Sequence, residues 1–299
     1  MNDAAIHTSG LAKRFGDVLA LDAVDLDVQP GLVFALLGPN GAGKSTMIRL
    51  LVGLLQPTSG SARVLGHDIV ADRRAVHARI GYLPGDFAAD KDLTAGAYLE
   101  YLSGLRGGVD VNERTALIER FGLDPTKTFG TLSHGNRQKV GLVQAFMHRP
   151  SLVLLDEPTQ GLDPLVQREF AEVVRAQRDS GNTVVLSSHV LSEVQALADR
   201  VAIMRDGRLV MDADVEELRT AARHRVEVTL EDRSDRVLGA LEGLETVDAV
   251  SAVDGVVSFT VEGSMAEILR RLAPLGVERF VSSEVDLETL FLSYYGNER

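Results

Sequence analysis

The sequence predicts an α/β domain built on a parallel sheet, followed by a smaller α+β domain. Three observations carry this expectation. Short apolar runs at residues 32–37, 152–155 and 183–186 each stop at polar residues. Strands buried on both faces of an open sheet read this way, with ligand-binding groups at their C-terminal ends. The first run enters a glycine-rich turn and then an apolar pattern of helical period. Beyond about Leu218 the pattern becomes short alternating strands separated by amphipathic helices.

In chain order, Leu32-Val33-Phe34-Ala35-Leu36-Leu37 is the first strand, and Gly38-Pro39-Asn40-Gly41-Ala42-Gly43 is the turn. A helix starts near Lys44 and continues through Leu50, Leu51 and Val52. Two helical stretches, 98–106 and 112–121, then interrupt the strand–helix alternation, which predicts an inserted helical subdomain over about 86–150. The second strand ends in Asp156-Glu157-Pro158 and the third in Ser187-Ser188-His189. After residue 218 come a strand (Val226, Val228, Leu230) and a helix (Val237, Leu238, Leu241, Leu244). Two strands then flank Asp254-Gly255, a strong hairpin signal. A helix (Ile268, Leu269, Leu272, Leu275), a strand near 277–281 and a last helix through Leu287, Leu290 and Phe291 complete the order. The succession βαββαβ predicts a ferredoxin-like domain over 219–299 and leaves 1–218 to the first domain.

Composition removes several classes of function. The 299 residues carry 43 Asp and Glu against 31 Lys and Arg, a formal charge of −12 that argues against a nucleic-acid coat. Absence of cysteine excludes disulfide scaffolds, thiolate metal sites and thiol nucleophiles. The longest apolar runs fall well short of the roughly 20 residues that cross a bilayer. The opening Met1-Asn2-Asp3-Ala4 lacks the order of a signal peptide, so a cytoplasmic location is expected.

Gly38 to Ser45 fits G-x-x-x-x-G-K-[ST] between a strand and a helix, the context a phosphate-binding loop requires. Its glycines let successive N–H groups converge on phosphate oxygens, and the helix that follows adds the positive end of its dipole. Lys44 is expected at the β- and γ-phosphates, and Ser45, followed by Thr46, offers a hydroxyl for Mg²⁺. Asp156, closing an apolar strand, suits a second-sphere Mg²⁺ carboxylate, and Glu157 beside it a group that orients or deprotonates water. Nucleotide phosphates and Mg²⁺ are therefore the expected ligands. His7, His67, His77, His148 and His224 show no metal-ligand spacing.

With these elements come Leu132-Ser133-His134-Gly135-Asn136-Arg137-Gln138, then Asp156-Glu157-Pro158-Thr159-Gln160-Gly161-Leu162-Asp163-Pro164, and finally His189. The set, spanning roughly residues 5–215 in order, resembles the ATP-binding subunit of ABC transporters. The resemblance implies a P-loop NTPase fold, ATP as the nucleotide, and further roles. Phe15 matches the aromatic that stacks on adenine. Ser133 and Gly135 match the signature that meets the γ-phosphate of a nucleotide held by a second subunit. Asp163 matches the loop joining two such sites, and His189 the switch histidine at the γ-phosphate. Two copies would then sandwich ATP head to tail.

Two departures stand out. The usual Leu-Ser-Gly-Gly-Gln appears as Leu132-Ser133-His134-Gly135-Asn136, keeping the serine and second glycine. In Ile80-Gly81-Tyr82-Leu83-Pro84-Gly85-Asp86, the family's usual glutamine after proline is Gly85, and Asp86 or a water is the expected substitute at the metal. The resemblance implies an ATPase on the inner face of the cell membrane, energising a separate permease that docks on residues 87–105. The ending Ser283-Glu284-Val285-Asp286-Leu287-Glu288-Thr289-Leu290-Phe291-Leu292 looks like that of multidrug and antibiotic exporters, which favours export. The alternatives are an importer subunit with a small-molecule-sensing C-terminal domain, and a soluble ABC ATPase acting on ribosomes or DNA.

Overall fold

The computed structural model describes residues 4–221, 224–229, 234–244, 246–253, 255–261 and 265–284. They fall into two compact units, Met1–Ala213 and Asp214–Arg299. The first runs β1 (Ile6–Phe15), β2 (Val18–Val28), β3 (Val33–Leu37), α1 (Lys44–Leu51), β4 (Ser59–Val64), β5 (His67–Asp68), α2 (Arg73–Arg79) and β6 (Ile80–Leu83). It continues with α3 (Ala95–Leu105), α4 (Val111–Arg120), α5 (His134–Phe146), β7 (Leu152–Leu155), α6 (Pro164–Asp179), β8 (Thr183–Ser188), α7 (Leu191–Leu197), β9 (Arg200–Arg205) and β10 (Arg208–Asp214).

Six strands form the central sheet in the order β10-β9-β3-β8-β7-β6. The pairs β9–β3, β3–β8, β8–β7 and β7–β6 are all parallel. Every residue of β3, β7 and β8 is buried, which is why these strands read as continuous apolar runs rather than as alternations. Parallel pairing brings the C-terminal ends of β3, β8, β7 and β6 side by side along one edge.

A second sheet, β2-β1-β4-β5, is antiparallel and went unread in the sequence. The register of β1 against β2 shifts between Thr8 and Leu11, Leu11 and Lys13, and Lys13 and Arg14, which breaks the alternation that would announce a strand. Its buried residues, among them Ile6, Leu11, Leu21 and Leu26, join those of β3 and α1 in one core.

Between β6 and α5 lie α3 and α4. Thr94 and Asp110 cap them, each side chain accepting from a backbone N–H of the first turn. Phe87, Tyr98 and Phe129 pack with ring centroids 5.2–5.9 Å apart in this region. Gln144 of α5 accepts from the Tyr98 hydroxyl at 2.6 Å and donates to the Tyr82 carbonyl at 3.1 Å, tying α3 to β6. No helix among the described residues is long and apolar enough to cross a membrane.

The second unit contains α8 (Val215–Ala221), β11 (His224–Thr229), α9 (Ser234–Leu241), β12 (Val247–Val253), β13 (Val256–Val261), α10 (Ala266–Leu272) and β14 (Arg279–Glu284). The sheet order is β12-β13-β11-β14, with every pair antiparallel. Val226, Val228, Val257, Phe259 and Val261 on the strands pack against Val237 and Leu241 of α9 and Ile268 and Leu272 of α10. Val253 pairs with Val256 at the expected hairpin, of which Asp254 lies outside the described residues. The last strand lies slightly later than expected, and the expected final helix and most of the 283–292 ending lie outside the described residues.

Candidate functional site

The loop after β3 is shaped by contacts that exclude side chains. A Cβ on Gly38 would collide with the Met204 carbonyl, and one on Gly43, whose φ is +104°, would lie 2.7 Å from the Ala20 carbonyl. Gly207 approaches the same carbonyl, from which a Cβ there would lie 2.9 Å. The Gly207 N–H donates to the Ala42 carbonyl at 3.1 Å, and the Asp22 N–H to the Gly207 carbonyl at 2.9 Å. Main chain therefore clamps the loop to β2. Pro39, Asn40 and Gly41 form its exposed rim, whereas Ala42 is buried and Gly43, Ser45 and Thr46 are partly so.

Lys44 is 5% exposed. Its ammonium donates to the carbonyls of Gly38 at 2.6 Å and Pro39 at 3.1 Å, and lies 3.3 Å from Glu157 Oε1. The other carboxylate oxygen of Glu157 meets His189 Nδ1 at 2.9 Å. Lys44 at the start of α1, with Glu157 and His189 just past β7 and β8, thus forms one connected row of charged and polar groups.

Asp156 is buried beside them. Its Oδ1 accepts from Ser187 Oγ at 2.7 Å and from Ser45 Oγ at 3.0 Å, while its buried Oδ2 has no hydrogen-bond partner among the described residues. A buried carboxylate oxygen without a donor is costly unless a cation or water meets it. A Cβ on Gly85 would lie 3.2 Å from that oxygen. The lone oxygen, the Ser45 hydroxyl and the side-chain-free Gly85 make a donor set that suits Mg²⁺, which takes few protein oxygens and completes its shell with phosphate and water. Burial, together with the Asp156 charge, pushes the neighbouring Tyr82 phenol above its ordinary range.

Asp86, the expected substitute at the metal, is exposed, and no hydrogen bond or ion pair among the described residues joins it to Ser45 or Asp156. Gly85 itself is the residue against the carboxylate. Phe15 is 47% exposed at the end of β1, so it is not a core residue, and the Lys13 ammonium sits 5.0 Å from its ring centroid.

Ser133 caps α5, its Oγ accepting from the Asn136 N–H at 3.3 Å. Asp163 caps α6, accepting from the N–H groups of Leu165 and Val166, with Pro164 at the first helical position. Gly135 packs so closely on Gly161 that a Cβ would strike the Gly161 carbonyl, which holds the two cap regions together. They share no hydrogen bond with Lys44 or Ser45 among the described residues.

Two further residues were not singled out from the sequence. Ser187 donates to Asp156 and accepts from the Glu157 N–H at 2.9 Å, aligning the two carboxylate residues. Gln138 of α5, 1% exposed, donates to the carbonyls of Glu157 at 3.1 Å and Pro158 at 3.2 Å. It steadies a glutamate whose own φ is +49°, a region most side chains avoid.

Residues 21–160 match the ABC transporter family profile. A daunorubicin/doxorubicin resistance ATP-binding protein of Streptomyces peucetius is 41% identical over 223 residues, covering 73% of this chain and 67% of that protein. A bacitracin transport ATP-binding protein of Enterococcus faecalis is 32% identical over 302 residues, covering 97% of this chain and 96% of that protein. The chain belongs to the ATP-binding subunits of ABC transporters. Among solved structures, an ATP-binding subunit of an ABC transporter matches with a TM-score of 0.66 at 28% identity, over 72% of this chain and 92% of that one. A dimeric, post-hydrolysis ATP-binding cassette bound to ADP and Pi shares the fold, with a TM-score of 0.64 at 23% identity over 70% of this chain and 98% of that one. As a member of this family the subunit is an ATPase whose hydrolysis is coupled to transport through a membrane partner.

Proposed function

We propose that this ABC subunit drives the export of drugs, antibiotics or other hydrophobic compounds through a separate permease. The observation that carries the reading is the row Lys44–Glu157–His189 beside Asp156 and Ser45, in a chain similar along nearly its whole length to antibiotic transport proteins. The relatives named for daunorubicin and bacitracin favour export over the importer alternative.

In this reading the 38–46 segment cradles the phosphates and Phe15 stacks on the base. Lys44 exchanges the carbonyls of Gly38 and Pro39 for phosphate oxygens, which releases Glu157 from its ion pair. Glu157 then accepts a proton from the attacking water, while His189, bonded to its other oxygen, holds the carboxylate in place. Ser45 and Asp156 would hold Mg²⁺, which when bound neutralises phosphate charge. Ser133, Gly135 and Asp163 face the nucleotide of a second copy, so the working unit is a dimer closed by ATP. The subunit works at the cytoplasmic face of the membrane. The strand order and antiparallel pairing of the second unit support a ferredoxin-like fold for it.

The test is ATP hydrolysis by the chain, alone and with the permease encoded beside its gene in lipid, for wild type and Glu157→Gln. The permease should stimulate the wild type, and the variant should lose roughly 10²- to 10⁴-fold in turnover, the range of a positioned base, while still binding ATP. Full hydrolysis by the variant would overturn the assignment of Glu157. Indifference of the wild type to the permease would overturn the transport reading.

A further inference from the structure

The side chain of His189 is 44% exposed, so its place on Glu157 depends on how the turn between β8 and α7 is held. That turn is held from Ser188, which is 1% exposed. The Ser188 hydroxyl donates to Glu193 Oε2 at 2.8 Å and accepts from the Val190 N–H at 3.0 Å. Its carbonyl accepts from the Gly38 N–H at 3.3 Å. One buried serine therefore joins the 38–46 loop, the His189 turn and the first turn of α7. Ser187 and Ser188 point to opposite sides of β8, so two neighbouring hydroxyls serve two carboxylates, Asp156 and Glu193.

Glu193 decides the direction of the Ser188 hydroxyl. A hydroxyl has one proton, and the Val190 carbonyl, 3.4 Å away, is the competing acceptor. With Glu193 in place, the shorter, charge-assisted bond takes the proton. Without it the proton turns to the Val190 carbonyl, which already accepts from the Val194 N–H in the opening turn of α7. The turn then closes on itself and is no longer held from Glu193. Val190, the residue before α7, has no polar side chain to fix the start of the helix. Glu193 in the first turn does so by reaching back to Ser188, where its charge also suits the positive end of the helix.

We infer that Glu193 is a positioning residue for ATP hydrolysis: through the Ser188 hydroxyl it holds the His189 imidazole on Glu157. The inference rests on the reading above, in which Glu157 takes the proton and His189 holds its carboxylate, and it supplies what holds His189. Among the described residues Glu193 shares no hydrogen bond or ion pair with Lys44, Ser45 or Glu157, so it acts through Ser188 and His189 rather than on the nucleotide.

The experiment uses the full chain with the permease encoded beside its gene, in lipid, and compares wild type with Glu193→Ala, Glu193→Gln, Ser188→Ala, His189→Ala and the double variant Glu193→Ala/His189→Ala. In Glu193→Ala, kcat should fall roughly 10- to 100-fold, the cost of a misplaced group at a reacting centre, while KM and fluorescent-nucleotide affinity hold. Ser188→Ala, which keeps the carbonyl on Gly38, should lose at least as much. Glu193→Gln, whose amide oxygen still accepts from Ser188, should recover most of the rate. Added to His189→Ala, Glu193→Ala should cost nothing more, because the two act as one unit. Wild-type kcat in Glu193→Ala, with His189→Ala impaired, overturns the positioning role and leaves the reading of Glu157 and His189 standing. So does a further loss in the double variant, a Gln variant as defective as the Ala variant, or a defect that disappears when the assay is cooled well below the variant's melting temperature. Unimpaired hydrolysis in His189→Ala overturns that reading and this inference together.

Discussion

The orphaned oxygen of Asp156 makes Gly85 a sensitive position. In Gly85→Ala the new methyl would lie 3.2 Å from Asp156 Oδ2 and 3.4 Å from Cγ, closer than a methyl normally approaches. The carboxylate has little freedom to yield, because Ser187 at 2.7 Å and Ser45 at 3.0 Å fix Oδ1 and the side chain is 1% exposed. Gly85 has no positive φ, so the backbone itself accepts alanine without strain. The methyl therefore acts on the oxygen, crowding it and excluding whatever cation or water meets it. Losing one such interaction at a buried charged group costs about 1–3 kcal/mol. At about 1.4 kcal/mol per tenfold, the Mg²⁺ concentration for half-maximal hydrolysis should rise roughly 5- to 150-fold. The assay is a Mg²⁺ titration of ATP hydrolysis, with ATP affinity in EDTA and the melting temperature as controls, both expected near wild type. An unchanged Mg²⁺ requirement would show that Asp156 Oδ2 plays no part in holding the metal.

Gln138→Ala removes two hydrogen bonds from the carbonyls of Glu157 and Pro158, so kcat should fall while KM for ATP holds, and the urea midpoint should drop with a loss of about 1–3 kcal/mol; an unchanged kcat argues against a positioning role. Phe15→Ala should weaken ATP binding by about 3- to 10-fold in a fluorescent-nucleotide titration, with Phe15→Trp retaining affinity. Because Phe15 is exposed, its melting temperature should barely move, and a large drop would indicate a packing residue instead. Burial, with help from Arg106, holds the His148 imidazole down to about 4, below its ordinary 6.5. The unfolded chain then takes up that proton first, so stability is complete above about pH 6.5 and is lost as the pH falls toward 4, by up to ~3 kcal/mol. Urea unfolding across that range should show the slope, and His148→Gln should flatten it.

What the sequence disclosed was chemistry written in consecutive residues. Gly38 to Ser45 and Asp156-Glu157 were legible because one turn and one strand end supply all their groups. Ser187 and Gln138 were not, because a single serine or glutamine gains its role only when the fold brings it to Asp156 or to the Glu157 carbonyl from 31 and 19 residues away. The antiparallel sheet was hidden by the register shifts of β1. The closeness of Gly85 to Asp156 Oδ2 was not legible either, because a missing side chain points to an interaction only once the fold sets the carboxylate beside it. For Phe15 the structure adds one fact the sequence could not carry, that the ring is 47% exposed rather than packed in the core.

The Ala20 carbonyl, approached closely by both Gly43 and Gly207, joins the 38–46 loop to the β1–β2 hairpin that carries Phe15. The joint is made of main chain, so side-chain substitutions along β2 leave it intact while substitution of either glycine opens it. If Phe15 stacks on the base as proposed, this joint sets the span between that ring and the 38–46 loop.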